Sequence, residues 1–234
     1  MSRYRIRRTL AIAIIGAGLI MALMSQGGDV AKITHTVTTN HDNSNNQALA
    51  TAVLAQLPVK GRAPATGYTR EQFGGAWANE GSCNMRDKIL ARDLTNIKFK
   101  NQTCEVETGQ LNDPYTGKTI PFRRGTTTSS AIQIDHVVAI GNAWQTGAQQ
   151  ISQTEREKLY NDPLELLAVD GSSNQQKSDG DAATWLPPNK GFRCQYVARQ
   201  IAVKRKYSLW VTRAEHDAMS RILNNCPDER LPTP

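Results

Sequence analysis

An aspartate followed directly by a histidine, Asp135-His136, lies within an apolar, β-branched run, AIQIDHVVAI. Further along, Asn174 and Lys177 stand one helical turn apart in SSNQQK, so both face one side of a helix. Aspartate and asparagine offer oxygens to a hard divalent cation. A histidine takes a proton from water near neutral pH. Together these are the needs of phosphodiester hydrolysis, an activated water and positive charge on the phosphate and the leaving oxygen. His136 is the candidate general base, and Asp135 and Asn174 are the candidate metal ligands. Lys177 is a secondary contributor that holds phosphate or steadies the developing charge. The bland alternatives are plain. They are a satisfied core histidine, a strand-end acid paired with an arginine, a helix cap beside Ser172 and Ser173, and a solvated lysine. Of the four histidines, His35 and His41 fall in a polar stretch and His216 in a terminal helix, which leaves His136 for the chemistry.

Four segments must position these side chains. Residues 131–140 read as a strand, NAWQTGAQQISQTEREKLY as helical, PLELLAV as a second short strand, and DGSSNQQKSDGD as the opening of a helix or tight turn. On a strand, Asp135 and His136 point to opposite faces. They serve one site only if the strand end twists or the histidine side wraps the bound phosphate. Around this centre, TAVLAQL (51–57) reads as a short helix stopped by Pro58, and NMRDKILARDL (84–94) as a helix capped by Asn84. A hairpin is expected where Asp113-Pro114-Tyr115-Thr116-Gly117 joins two alternating stretches. Two helices close the chain, the second opened by a capping box of Thr212 and Glu215.

The order strand–DH, strand with LL, then N-x-x-K opening a helix resembles the ββα-metal core of HNH endonucleases. More closely, the chain resembles secreted bacterial HNH-like proteins that share a domain with the C-terminal part of GmrSD restriction enzymes. ILARDL, DPYTGKTIPFRRG, WLPPNKGFRC and YVARQIAVK carry the likeness outward, over roughly residues 60–226. The resemblance implies an α+β fold with a ββα-metal (HNH/His-Me finger) core, flanking helices and a β-hairpin. It implies Mg²⁺, with Mn²⁺ as the alternative, at Asp135 and Asn174, and His136 as the base. One slot departs from the pattern. Many such proteins carry an asparagine just before the second strand's apolar pair, where this chain has Glu165; Asn161 lies four residues earlier. A carboxylate there is expected to orient the histidine through an N–H bond and raise its pKa.

The start of the chain places it. Arg3, Arg5, Arg7 and Arg8 precede an uncharged apolar run, Leu10–Met24, of 15 residues. That suits a secretory signal and is short for a membrane span. Residues 1–28 are read as a signal peptide or N-terminal anchor, 29–50 as a polar flexible tether, and 51–234 as a single nuclease-like domain. With 39% hydrophobic and 21% charged residues, a collagen, a coiled coil or a wholly disordered chain is excluded. The formal charge is +7, but residues 1–28 hold four arginines and no acid, so the remainder carries 24 bases and 21 acids, +3.

Charge distribution therefore matters more than the total. Between Leu186 and Trp210, Lys190, Arg193, Arg199, Lys204, Arg205 and Lys206 occur with no acid among them. This is the candidate surface for DNA phosphates, with RNA as the alternative nucleic acid. A monomer is expected. Cys83, Cys104, Cys194 and Cys226 in an exported chain suggest two disulfides. Of three connectivities the sequential one is expected, because each pair lies within one segment; the lack of any C-x-x-C pair argues against zinc. The leading function is an exported, metal-dependent endonuclease acting on DNA with low sequence specificity. The alternative is a non-catalytic, exported nucleic-acid-binding protein. A cell-wall hydrolase would want paired carboxylates or a free cysteine nucleophile.

Overall fold

Short strands and helices alternate around a small central hairpin. The computed structural model describes residues 47–233. The expected export segment and the tether up to residue 46 lie outside the described residues. The end of the expected tether, residues 47–50, joins the fold. Leu49 bridges to Arg230, and Ala50 is buried at the start of α1 (Ala50–Leu54).

After a 3₁₀ turn (Arg70–Phe73), a minimal hairpin of β1 (Asn79–Glu80) and β2 (Cys83–Asn84) leads into α2 (Met85–Asp93). Asn84 caps α2 by accepting from the Asp87 N–H, as its residue type predicts. Next come β3 (Leu94–Phe99), β4 (Val106–Asn112) and β5 (Thr119–Arg123), a three-stranded antiparallel meander. The expected hairpin is β4–β5, turned by Asp113–Gly117. Asp113 accepts from the Thr116 N–H, and Gly117 supplies φ +73°. The third strand, β3, adds to the expected pair.

β6 (Ile132–His136) pairs antiparallel with β7 (Leu166–Asp170), placing Asp135 opposite Leu167 and His136 opposite Leu166. Between them run α3 (Ile140–Gln145), a 3₁₀ turn (Ala148–Gln150) and α4 (Gln153–Tyr160). The strand expected over 131–140 thus ends at His136, because α3 starts at Ile140. α5 (Gly171–Lys177) follows β7 without a loop, capped by Asp170. α6 (Arg193–Lys206) and α7 (Arg213–Leu223) close the fold, and the Thr212–Glu215 capping box is present.

Alternation on β6–β7 builds two apolar layers. Ile132, Ile134, Leu166 and Ala168 pack with α2 and the meander. Leu167 and Val169 pack with α1, α6 and α7. A third cluster joins Phe73, Val138, Leu159, Tyr160 and Val203 around α3 and α4. The mixed architecture agrees with the α+β expectation. Disulfides Cys83–Cys104 and Cys194–Cys226 have the sequential pairing and leave no cysteine free. Among the described residues no helix is long and apolar enough to cross a membrane.

Candidate active site

Where β6 ends, a cleft of ≈190 Å³ is lined by Asp135, His136, Asn174, Ser178, Asp179 and Arg70, among others. The strand geometry sets its two sides. Asp135 turns toward the α6 layer and His136 toward α2 and α4, as period two requires. Both border the cleft because it opens at the strand terminus.

His136 is 5% exposed. Its Nε2 lies 2.9 Å from the carbonyl oxygen of Tyr160. A carbonyl only accepts, so Nε2 carries the hydrogen and Nδ1 keeps its lone pair. Trp77 stacks on the imidazole with planes 5° apart, and the Tyr160 ring packs against it at 4.4 Å between centroids. Burial is the main cause that lowers the His136 pKa to about 3, with the positive charges of Lys177 and Arg70 adding to it. The free imidazole is neutral, in the form that accepts a proton. Negative phosphate entering the cleft would pull that pKa back up.

Asp135 is 4% exposed. Its Oδ1 accepts from Lys177 Nζ at 2.8 Å, and its Oδ2 accepts from the Tyr115 hydroxyl. Burial pushes its carboxyl up, while the ammonium and the hydroxyl pull it back down. Lys177 Nζ also donates to the His136 carbonyl at 2.8 Å. Lys177 is 2% exposed, so it is neither solvated nor turned to a substrate phosphate. It is a buried strut between α5 and the end of β6.

Asn174 Nδ2 donates to Gln133 Oε1 at 2.9 Å, which fixes the amide. The helix cap is Asp170, so Asn174 does not serve as one. A hard cation fits this lining. Asp135, Asn174, Ser178 and Asp179 all offer oxygen, and each carboxylate oxygen of Asp135 retains a second lone pair.

Glu165 departs from its expected role. It is fully buried, its Oε2 accepts from the Val138 N–H at 3.1 Å, and its Oε1 has no partner. Burial pushes its carboxyl well above the usual range, which favours the uncharged acid, and Glu165 is not among the groups that shift the histidine. The Tyr160 carbonyl holds the imidazole instead. Asn161 anchors a different loop, its Oδ1 accepting from the Ala78 N–H at 2.8 Å.

Burial and pairing also redraw the basic segment. Lys204 is fully buried and pairs with Glu215 of α7 at 3.0 Å, so it faces no nucleic acid. Lys206 pairs with Asp162 at 2.6 Å, and Arg199 donates to the Leu164 carbonyl. The acids absent from 186–210 arrive from other elements, which a linear charge count does not register. Lys190 and Arg205 remain exposed and Arg193 half-buried.

Arg70, Trp77, Tyr115 and Asp179 are the neighbours that the motif left unmarked. Arg70 and Trp77 come from the turn-rich stretch before α2. Their only sequence signal is an arginine and a run of aromatics among glycines. Asp179 packs over the start of α3, where a Cβ on Gly141 would meet its carboxylate at 2.6 Å.

The family model described as the C-terminal domain of GmrSD restriction endonucleases matches residues 84–222. A relative from Arthroderma benhamiae, described as an "Uncharacterized secreted protein", is 35% identical over 186 residues, 79% of this chain and 88% of its own length. The matched range holds β6, β7, α5 and, apart from Arg70, all of the polar cleft residues above; the chain belongs to the family of the GmrSD restriction endonuclease C-terminal domain, a nuclease-related family.

Proposed function

We propose that this protein is an exported endonuclease of the HNH type that hydrolyses phosphodiester bonds of DNA with low sequence specificity. One observation carries the reading. A buried, neutral histidine with its Nε2 hydrogen committed to a carbonyl shares a cleft with Asp135 and Asn174. The succession β6, β7, α5 supports a ββα-metal core. The family's nuclease association, the relative's description as secreted and the two disulfides support the rest.

In this mechanism His136 Nδ1 takes the proton of a water aligned on the phosphorus. The Tyr160 carbonyl keeps the tautomer fixed as Nδ1 becomes protonated. Asp135 and Asn174 would hold Mg²⁺ or Mn²⁺, which supplies positive charge for the phosphate and the leaving oxygen when bound. Lys177 favours the ionised form of Asp135 against the effect of burial and braces the strand end on α5. Arg70, exposed at the cleft mouth, offers a guanidinium to a phosphate oxygen. Lys190, Arg193 and Arg205 contribute sequence-independent attraction to the backbone.

Purified residues 29–234 incubated with supercoiled plasmid, with and without Mg²⁺ or Mn²⁺, test the reading. Nicked and linear DNA in the presence of metal is expected. Intact plasmid and intact RNA under all conditions, with retained binding, would leave the non-catalytic binding protein.

A further inference from the structure

We propose that Trp77 is a positioning residue for His136, resting on the nuclease reading: its indole fixes the imidazole plane so that Nδ1 addresses the cleft. A single hydrogen bond at Nε2 leaves an imidazole free to pivot about that bond. A parallel aromatic face removes this freedom. The Trp77 and His136 ring planes differ by 5° with centroids 5.7 Å apart, and Tyr160 closes the triangle at 5.5 Å from Trp77 and 4.4 Å from His136. Such separations lie within the range of favourable aromatic pairs.

The indole is itself held in register with the histidine's other anchor. Asn161 directly follows Tyr160, and its Oδ1 accepts from the Ala78 N–H beside Trp77. The turn that receives the Nε2 hydrogen therefore also grips the Trp77 loop. On the other side, the Ala78 carbonyl accepts from the Met85 N–H at 2.8 Å, tying the loop to the start of α2. Gly74 and Gly75, at φ +85° and +66°, give the loop the left-handed turn that brings the indole inward. The rest of the indole lines a separate cavity of ≈1000 Å³ with Asn79, Glu157, Lys158 and Lys206. Trp77 is thus a wall between that cavity and the imidazole, with one face already used by His136.

Steady-state cleavage of a labelled oligonucleotide by wild type, Trp77→Ala and Trp77→Phe reads the role. Trp77→Ala should lower kcat on the order of 10–100-fold with KM little changed, since a small misplacement at the reacting centre has that effect. Trp77→Phe should recover most of the loss, because a flat ring is what the role requires. Thermal unfolding of the variants controls for folding. An NMR reading independent of activity accompanies the kinetics. The His136 Cε1–H resonance should carry an upfield ring-current shift in wild type that Trp77→Ala removes. Wild-type kcat in Trp77→Ala, or a raised KM with kcat intact, overturns the positioning role and makes Trp77 a packing or substrate-contact residue. A wild type inactive on every nucleic acid overturns the nuclease reading itself, and the ring-current shift then reports the stacking alone.

Discussion

Burial raises the Glu165 carboxyl and lowers the His136 imidazole, favouring the uncharged form of each. For the histidine this preserves the proton-accepting form; for the glutamate it disfavours the charge that an orienting role would use. The consequence for stability can be signed. The folded Glu165 pKa lies above its ordinary 4.5. Above pH 4.5 the unfolded chain releases this proton and the folded chain keeps it, so stability falls as pH rises, by about 1.4 kcal/mol per pH unit until the folded group ionises. Glu165→Gln keeps an acceptor for the Val138 N–H and has no proton to lose. At pH 7 to 8 this variant should therefore unfold at an equal or higher urea concentration than wild type and cleave DNA at a comparable rate. A large loss of activity in a folded Glu165→Gln protein would restore the orienting role expected from the sequence. Lys177 shows why such roles were illegible. Its partners Asp135 and the His136 carbonyl are 42 and 41 residues away, and no local pattern distinguishes a buried strut from a solvated charge.

Elements written by local chemistry were readable; those assembled from distant pieces were not. The Asn84 cap, the Asp113–Gly117 turn and the Thr212–Glu215 box each rest on residues within four positions of one another. The alternating stretch IKFKNQTCEV, expected as one arm of the hairpin, spans the end of β3 and the loop to β4, because the strand breaks at a turn that holds the disulfide-bonded Cys104. The apolar run over 131–140 outlasts β6 because Val137 and Val138 are apolar for another reason, packing around α6 and α3. The junction of β7 with α5 carries its own test. At Gly171 a Cβ would meet the Ser130 carbonyl at 2.1 Å and the Gln133 amide at 3.2 Å. Backbone cannot yield as a flexible side chain does, so Gly171→Ala should push α5 away from β6. The expected loss is about 1–3 kcal/mol in urea unfolding, with lower activity because Asn174 and Lys177 ride on that helix. Unchanged stability would mean that the junction relaxes without moving the cleft.

For the whole molecule, the linear charge pattern overstated the interface. Two of the six bases between Leu186 and Trp210 form ion pairs with Glu215 and Asp162. Lys204 ties α6 to α7, with donations to Asn142, Thr146 and the Trp210 carbonyl, so reversing its charge would oppose the buried Glu215 carboxylate rather than probe DNA. Reversing Lys190, Arg193 and Arg205 together tests the remaining surface. If each meets a phosphate, the slope of log K against log salt should shrink by about 2–3 in filter-binding titrations. An unchanged slope would take α6 off the interface. The family and the mixed fold were readable because the DH and N-x-x-K pieces keep their order along the chain. Trp77 and Arg70 escaped because they enter from a turn-rich stretch with no spacing that ties it to the DH and N-x-x-K pieces. Plasmid cleavage by His136→Ala decides whether His136 is the general base of a nuclease. The rate should fall on the order of 10²–10⁴-fold, with DNA affinity and the unfolding midpoint near wild type. Cleavage by His136→Ala at the wild-type rate would remove His136 from the chemistry.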